Sequence, residues 1–328
     1  MYIGQKVLLF KKVISVARVE RGGGEGSGMF DVSDKSETLR TAVAQAIVKA
    51  EPATVTLIKE GKSPKGNIFE AAKLSATMAA KRTWDLLPYC HPIPIDSIKV
   101  DVALKEKSIE VLVDVKNVAK TGVEMEALTG ACIAALTIYD MLKPVDETLS
   151  IESVRLLNKR GGLKTFFEKF DKALKASVLV TSDSRSEIED QSGKVVIERL
   201  VNNGFEIVDY RVVGDEIDLI ESELKRFCDE LNVDIVITSG GTGLGSRDVT
   251  PEATRKVIQK ELGGVSEAIR NYGQKRTPLS MLSRGVAGVR GTTVIVNLPG
   301  SSKAVSESLD ALFPGIFHIY KMLRGYGH

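Results

Sequence analysis

The chain has 328 residues, of which 45 are Lys or Arg and 43 are Asp or Glu, so its formal net charge is +2. This length predicts two domains, and the near balance of charge argues against a dedicated nucleic-acid binder. Hydrophobic residues at 43% and charged residues at 27% are typical of a globular protein and exclude a disordered chain. The longest apolar stretches, such as residues 131–139, are about half of what a membrane span needs. We therefore expect a soluble protein with no membrane partner.

The cysteine and histidine inventory is small. Cys90, Cys132 and Cys228 lie far apart and form no C-x-x-C pair. This spacing argues against a disulfide scaffold or a thiolate zinc site and favours the reducing cytoplasm. Besides His91 there are only two histidines, both near the C-terminus, which is too few for a His-rich metal centre within one chain.

Residues 1–28 differ in composition from the rest of the chain. They are basic, contain a short apolar VLLF stretch and end in the glycine-rich GGGEGSG. A long apolar region and a convincing cleavage site are missing, which disfavours a secretion signal. We interpret these residues as a leader of unknown role, either a flexible extension or the result of a start codon placed too early.

The first half predicts an α+β sheet with its helices on one side. A helix is expected from about Ser33, because apolar residues at positions 39, 43, 46 and 47 recur at helical spacing. Two more helices are expected near 68–82 and 126–143. The alternating runs SIKVDVALK and SIEVLVDVKNV predict neighbouring strands, and TLSIESVRLL a further strand.

A boundary follows at Gly161-Gly162, since glycine tolerates the backbone of a chain reversal. We place the first domain at 29–165, a linker at 166–174 and the second domain at 175–328. The strand runs SVLVTSD, GFEIVDYRVV, VDIVITSGG and GTTVIVNLPG alternate with helical patterns near 191–203, 217–231, 251–261 and 301–312. This rhythm predicts a three-layer, doubly wound α/β domain with a largely parallel sheet.

Two glycine loops follow strands of the second half. SGGTGLGSRDVTPE offers Thr250 as a helix N-cap and Pro251 as the first helical residue, so backbone amides point at an anion such as phosphate. The loop at Gly300 repeats this arrangement, and ligands of open α/β sheets gather at the carboxyl ends of strands. The alternative is that both loops are only turns.

Two common nucleotide motifs are missing. The chain contains no G-x-x-x-x-G-K-[ST] and no G-x-G-x-x-G followed by an acidic residue, which leaves a P-loop or a dinucleotide fold unsupported. Asp248, inside the first glycine loop, and Asp215, after another strand, are candidates to hold a magnesium ion that bridges phosphates. Each is equally interpretable as a cap or turn residue.

Polar residues of the first half fall on separate segments. KRTWDLLPYCHP holds His91, either a structural turn residue or a functional one. Glu124 and Glu126 share a face if their segment is extended. Asp140 and Lys143 share a helix face in an otherwise apolar helix, and they form either a structural ion pair or an acid–base pair perturbed by burial. Lys65 lies in a turn-rich segment. Together with Lys143 and these carboxylates it forms a set of charged residues suited to binding a polyphosphate.

Several longer segments resemble known families. DVSDKSETLR, AAKRTWDLLPYCHP, KTGVEMEALTGACIAALTIYDMLK and VRLLNKRGG resemble the MoaC family, the cyclic pyranopterin monophosphate synthases of molybdenum cofactor biosynthesis, over residues 29–165. TSDSRS, TSGGTG, RDVTPEA, PLSMLSRGVAGVRG and NLPGSSKA resemble the MoaB/MogA family of molybdopterin-binding and adenylylating proteins, over about residues 175–325. Together the two resemblances predict a fusion of two proteins that act at different steps of one pathway.

The MoaC resemblance implies a lyase that converts a cyclised dihydro-GTP intermediate into cyclic pyranopterin monophosphate and releases pyrophosphate without a cofactor. It implies a ferredoxin-like α+β fold and a hexamer with sites between subunits, which would explain the apolar helix around Asp140. Asp140 is implied as the catalytic acid–base residue, with Lys65 and Lys143 beside the triphosphate and the ring. The implied substrate contacts are Tyr89, Cys90, His91, Met125 and Glu126, with Glu124, Arg40 and Asp31 as further contributors.

The MoaB/MogA resemblance implies that the glycine loops bind a nucleotide and the pterin dithiolene. The implied residues are Gly240, Gly241, Thr242, Gly243, Gly300, Ser301 and Ser302. ATP and magnesium are expected cofactors there, with Asp215 and Asp248 as the magnesium ligands. Relatives either adenylylate molybdopterin or only bind it, so the second half is an adenylyltransferase or a non-catalytic binding or oligomerisation module. Pterin and nucleotide substrates and a homo-oligomer, trimer or hexamer, are the expected partners.

Overall fold

The structure is a computed structural model that describes residues 28–183 and 190–325. The predicted leader, apart from Gly28, lies outside the described residues. The elements of the first domain are β1 Thr38–Lys49, α1 Pro52–Lys59, α2 Ile68–Lys81, α3 Thr83–Leu86, β2 Ser97–Leu104, β3 Ser108–Ala119, α4 Glu124–Leu142 and β4 Ser150–Arg160.

The first domain is a four-stranded antiparallel sheet with α2 and α4 on one face. The strand order is β2-β3-β1-β4. Alternate residues of β3, among them Ile109, Val111 and Val113, are buried against the helices, as the period of a half-covered strand requires. The predicted α+β sheet with helices on one side is confirmed.

The helix predicted from about Ser33 is wrong, because residues 38–49 form the central strand β1. Ala42, Ala44, Ala46 and Val48 are buried at alternate positions, so small apolar residues satisfy a strand period as well as a helical one. β3 and β4 pair with β1 on its two sides. These long-range partners decide the conformation, and the residues of β1 alone do not reveal them.

Helix α4 is the one described helix that is long and apolar enough to cross a membrane by length and composition. Half of this apolar stretch is buried inside the domain. Gly130 lets it approach its neighbours closely, because a Cβ there would lie 3.1 Å from the carbonyl oxygen of Ala76 in α2 and 3.2 Å from Val113 in β3. The helix is therefore the core helix of this domain.

The predicted chain reversal lies directly after β4. Gly161 and Gly162 have φ of +101° and +85°, a backbone region that favours glycine. The segment predicted as a linker, 166–174, packs on the second domain, where the ring of Phe170 lies 5.9 Å from those of Phe317 and Tyr320.

The second domain begins with the strand after this segment. Its elements are β5 Lys175–Thr181, α5 Gln191–Asn202, β6 Glu206–Val213, α6 Ile217–Lys225, β7 Ile235–Ser239, α7 Thr250–Val257, β8 Lys260–Glu261, α8 Gly263–Gln274, β9 Ala287–Arg290, β10 Thr293–Leu298, α9 Ser302–Leu312 and α10 His318–Leu323. The prediction did not include α8, α10, β8 and β9.

The second sheet has the order β6-β5-β7-β10-β9-β8. Strands β6, β5, β7 and β10 are parallel, whereas β9 and β8 run antiparallel. Neighbouring residues of β5 enter different cores, with Val178 and Val180 on one side of the sheet and Leu179 on the other. The sheet therefore lies between two helical layers, and the predicted α/β architecture of this half is confirmed.

Candidate functional site

Three of the predicted catalytic residues meet in the first domain. Lys65 Nζ lies 2.8 Å from Asp140 Oδ2 and donates to the Asp140 carbonyl at 2.9 Å, and Lys143 Nζ lies 2.9 Å from Asp140 Oδ1. Asp140 is in the last turn of α4, and Lys65 is in the loop before α2. We call these three residues the Asp140 cluster.

The Asp140 carboxylate is exposed, so of the two alternatives for Asp140 and Lys143 the single chain shows an ion pair and not a pair perturbed by burial. Its side chain is 55% exposed. Hydrogen bonds from Lys65 and Lys143 lower its pKa to about 2, and the carboxylate in turn raises the pKa of Lys143. In the single chain this group is an ionised carboxylate between two ammonium groups.

The other predicted residues of the first domain gather around the opposite end of α4. We call Asp31, Arg40, Cys90, His91, Glu124 and Glu126 the His91 cluster. Arg40 donates to the carbonyls of Ala119 and Lys120 at 3.0 Å each. Burial lowers the pKa of its guanidinium, and the charge of Glu124 opposes this shift. Glu124 also accepts from Lys159 at 3.2 Å.

His91 and Asp31 are held near the start of the described chain. The Nε2 atom of His91 lies 2.9 Å from the carbonyl oxygen of Phe30. Asp31 accepts from the backbone amide of Ser33 at 2.8 Å and from its hydroxyl at 2.6 Å, and these hydrogen bonds lower its pKa. The positive charge of Lys120 lowers this pKa further.

Glu126 is the buried carboxyl of the His91 cluster. The segment of Glu124 and Glu126 is not extended, because both residues lie in the first turn of α4, so the condition under which they would share a face is not met. Glu126 is only 4% exposed, and its Oε2 has no hydrogen-bond partner within the described ranges. Burial raises its pKa to about 7, and nearby Glu124 adds to the effect. Burial, with the charge of Glu126, also raises the pKa of the Cys90 thiol.

A single chain does not join the two clusters. Asp140 follows Glu124 by 16 positions in one helix, which corresponds to about 24 Å along the axis. The two remaining predicted contacts, Tyr89 and Met125, are 55% and 42% exposed. The two clusters therefore lie at opposite ends of α4, with the Asp140 carboxylate exposed and the Glu126 carboxyl buried.

In the second domain the two glycine loops are adjacent, at the carboxyl ends of the parallel strands β7 and β10. The amide of Gly240 donates to the Leu298 carbonyl at 3.1 Å. A Cβ on Gly300 would lie 3.3 Å from the Cα of Gly240. Gly240 and Gly241 have φ of +106° and +62°, so both loops need glycine where their backbones meet.

The helix ends beside these loops are only partly as predicted. Ser301 is the N-cap of α9, and its hydroxyl accepts from the amide of Ala304 at 3.3 Å, while Ser302 is the first helical residue. Thr250 is not a side-chain cap, because α7 begins at Thr250 itself. Its Oγ1 instead lies 3.1 Å from that of Thr181 in β5. This contact ties the base of the loop to the neighbouring strand.

Three carboxylates gather beside the first glycine loop. Burial raises the pKa of Asp215, and the charges of Asp183 and Asp248 raise it further. Within the described part of the chain, Asp215 Oδ1 has no hydrogen-bond partner. Asp248 Oδ2 accepts from the amide of Gly245 at 2.7 Å. Asp183 is not among the predicted site residues, although it follows β5 and lies in the segment TSDSRS that resembles the MoaB/MogA family.

Arg284 is not among the predicted site residues, although it lies in the segment PLSMLSRGVAGVRG that resembles the MoaB/MogA family. Its guanidinium donates to the carbonyl of Gly243 at 2.7 Å, and also to the carbonyl of Asp248 and the carboxylate of Glu252. Its backbone amide donates to the carbonyl of Thr242, a buried loop residue, at 3.0 Å. Arg284 therefore fixes the conformation of the loop from Thr242 to Asp248.

This fold defines a two-domain protein: an α+β domain in which acidic and basic side chains form two clusters, and an α/β domain in which two glycine loops lie side by side at the carboxyl ends of parallel strands. The MoaC family matches residues 29–162, and a family described as "Probable molybdopterin binding domain" matches residues 177–318.

Proteins with the same two-part organisation match along almost the whole chain. The molybdenum cofactor biosynthesis bifunctional protein of Chlorobaculum tepidum is 38% identical over 302 residues, covering 92% of this chain and 96% of that protein. The Synechococcus elongatus protein of the same name is 35% identical over 315 residues, covering 92% and 98%. The cyclic pyranopterin monophosphate synthase of Aquifex aeolicus is 48% identical over 141 residues, covering 43% of this chain and 56% of that protein. The chain belongs to the family of bifunctional molybdenum cofactor biosynthesis proteins.

Proposed function

We propose that the first domain is a lyase that converts the cyclised dihydro-GTP intermediate into cyclic pyranopterin monophosphate and pyrophosphate. The convergence of Lys65 and Lys143 on the Asp140 carboxylate is the observation that supports it. Expulsion of pyrophosphate needs cations beside the developing charge. Ring opening and closure need proton transfers, for which an ionised Asp140 is the acceptor. The βαββαβ order of the domain supports a ferredoxin-like fold.

We propose further that each complete site joins the Asp140 cluster of one subunit to the His91 cluster of another. The distance of about 24 Å along α4 prevents one chain from presenting both clusters to one small substrate. Exposed apolar side chains on the outer faces of the two helices support a homo-oligomer that covers them, since such patches mark interaction surfaces. These side chains are Leu74 and Met78 of α2 and Leu136 and Tyr139 of α4.

Within such a site, Glu126 is suited to proton transfer. A pKa of about 7 leaves both its protonated and its ionised forms populated at neutral pH, which is the condition under which general acid–base catalysis is most effective. Asp140, with its pKa of about 2, stays ionised over the same range. The two carboxyls are therefore assigned different roles, Glu126 as proton donor and Asp140 as proton acceptor.

The test supplies the purified chain with the cyclised dihydro-GTP intermediate and measures pyrophosphate together with the fluorescent oxidised pterin. Asp140→Asn is expected to lose activity by about two orders of magnitude or more. Asp101→Asn, which removes an exposed carboxylate from β2, is the matched control and is expected to keep it. Unchanged turnover of Asp140→Asn would remove Asp140 from the mechanism.

For the second domain we propose binding of molybdopterin and ATP at the two glycine loops, with transfer of AMP to the pterin. Adjacent loops at the carboxyl ends of β7 and β10 support two neighbouring anionic groups. Among the described residues no group of three or more His, Cys, Asp or Glu is arranged as a metal site. Magnesium needs only one or two carboxylates beside substrate phosphates, and the unpartnered Asp215 oxygen and the carboxylate of Asp248 fit it. When bound, magnesium neutralises phosphate charge.

Calorimetric titration with ATP and magnesium, followed by a search for released pyrophosphate in the presence of molybdopterin, tests this proposal. Asp248→Ala is expected to weaken the nucleotide-dependent activity and to leave the lyase reaction intact. Binding of molybdopterin without any pyrophosphate would instead identify the second domain as a non-catalytic binding or oligomerisation module.

A further inference from the structure

The segment before β1 lies between the two domains. We call residues 29–37 the junction segment. On its first-domain side the segment contacts the His91 cluster and contributes Asp31 to it. The carbonyl oxygen of Phe30 lies 2.9 Å from His91 Nε2, and Asp31 accepts hydrogen bonds from Ser33. The Ser33 carbonyl accepts from Lys120 Nζ at 3.1 Å. The position of this segment therefore sets the position of Asp31 beside His91.

The other side of the junction segment is held by the second domain. The hydroxyl of Tyr272 in α8 donates to the Asp34 carbonyl at 2.7 Å. Arg276, just after α8, donates to the Ser33 carbonyl at 3.0 Å. Ser33 thus presents one carbonyl to Lys120 of the first domain and to Arg276 of the second.

These second-domain side chains are themselves fixed. Tyr272 is 8% exposed, and the Arg276 guanidinium lies 3.6 Å from the centre of its ring. The Arg276 side chain is 18% exposed and also lies 3.6 Å from the Asp34 carboxylate. By contrast, the neighbouring pair of Lys275 and Glu37 is exposed on both sides, and such pairs contribute little.

A cleft of about 720 Å³ separates much of the junction segment from α8 and α9. Its lining includes Lys35, Lys120 and Lys303. Because the space is open, the segment depends on the polar contacts of Tyr272 and Arg276 more than on packed apolar surface.

We infer that Tyr272 and Arg276 are positioning residues for the reaction of the first domain: the second domain holds the junction segment so that Asp31 and His91 stand in place for substrate. This role rests on the proposed lyase function. It gives the fusion a physical consequence, since ligand that orders the His91 cluster also tightens the contact between domains, and the reverse holds by linkage.

Steady-state kinetics of the lyase reaction on the full chain tests this inference. Tyr272→Phe keeps the ring and removes one hydrogen bond, so KM is expected to rise about five-fold. Arg276→Ala removes more contacts, and we expect KM to rise by roughly ten-fold or more. Loss of a contact that only orders the substrate site leaves kcat within about two-fold. Arg276→Lys keeps a donor and is expected to recover part of the loss.

Gln274→Ala is the matched control, because Gln274 is an exposed residue of the same helix outside the cleft lining. It is expected to leave KM and kcat unchanged. Hydrogen exchange gives a readout independent of turnover: amides of the junction segment are expected to exchange faster in Arg276→Ala than in Gln274→Ala.

The possible results separate this inference from the proposed function. The inference alone is overturned if Tyr272→Phe and Arg276→Ala keep the kcat and KM of the wild type. It is also overturned if the amides of the junction segment exchange at the same rate in all variants. A fall in kcat with constant KM, not relieved by Arg276→Lys, overturns it as well. Absence of product from the well-folded wild type overturns the proposed lyase function and this role together.

Discussion

Replacing the buried carboxyl Glu126 with an amide should stabilise the first domain at high pH. The ordinary pKa of 4.5 applies to the unfolded chain, whereas burial raises the folded value to about 7. Between these values the folded protein binds more protons than the unfolded one, so wild-type stability falls as pH rises from about 4.5 to about 7 and is level above. Glu126→Gln cannot ionise and lacks this fall.

The magnitude follows from the two pKa values. Their difference of about 2.5 corresponds to about 3 kcal/mol. We therefore expect the gain in unfolding free energy of Glu126→Gln over wild type to grow by up to ~3 kcal/mol between pH 4.5 and pH 8.

Urea unfolding followed by tryptophan fluorescence measures this gain. Trp84 is the only tryptophan of the chain, so its signal reports on the first domain alone. Glu106→Gln removes an exposed carboxylate of the same domain and controls for the change in net charge. A difference between Glu126→Gln and wild type that stays constant from pH 5 to pH 8 would refute the reasoning.

Two further predictions concern the second domain. Asn297 is buried and donates to the hydroxyls of Thr238 and Thr254 at 3.0 and 2.9 Å, so Asn297→Ala should lower the unfolding free energy by roughly 2–3 kcal/mol in urea titrations followed by circular dichroism. An unchanged transition would contradict the importance of this network. Arg284→Ala should weaken ATP binding about ten-fold in calorimetry by loosening the loop at Gly243, and an equal loss of lyase activity would contradict separate sites.

The fold could be predicted wherever a segment carries its own period. The strands β2 and β3 alternate strictly, and α4 is a long apolar run, so their types follow from the sequence alone. β1 could not be predicted in this way, because its alanines suit a helix as well as a strand. Its two antiparallel neighbours lie about 60 residues or more further along the chain.

The sequence names candidate site residues but does not predict how they are arranged. Asp140 and Lys143 share a MoaC-like segment, whereas Lys65 lies in a separate turn-rich segment, and the fold brings it to them. The exposure of Asp140 does not follow from the sequence, because it depends on which side of α4 the sheet covers. Arg284 lies outside the two glycine loops in the sequence, and its hydrogen bond to the Gly243 carbonyl is visible only in the folded structure.

The central claim, a lyase site shared between two subunits, is tested most directly by mixing inactive subunits. Asp140→Asn and His91→Ala each damage a different cluster, and neither alone should make product. Co-expressed with different tags and purified as a mixed oligomer, they should recover about a quarter of wild-type activity, because one site in four joins two intact clusters. No recovery in a mixed oligomer of two inactive variants would mean that both clusters act within one subunit, and full activity of either variant alone would mean that its cluster takes no part. Either result would contradict the shared site.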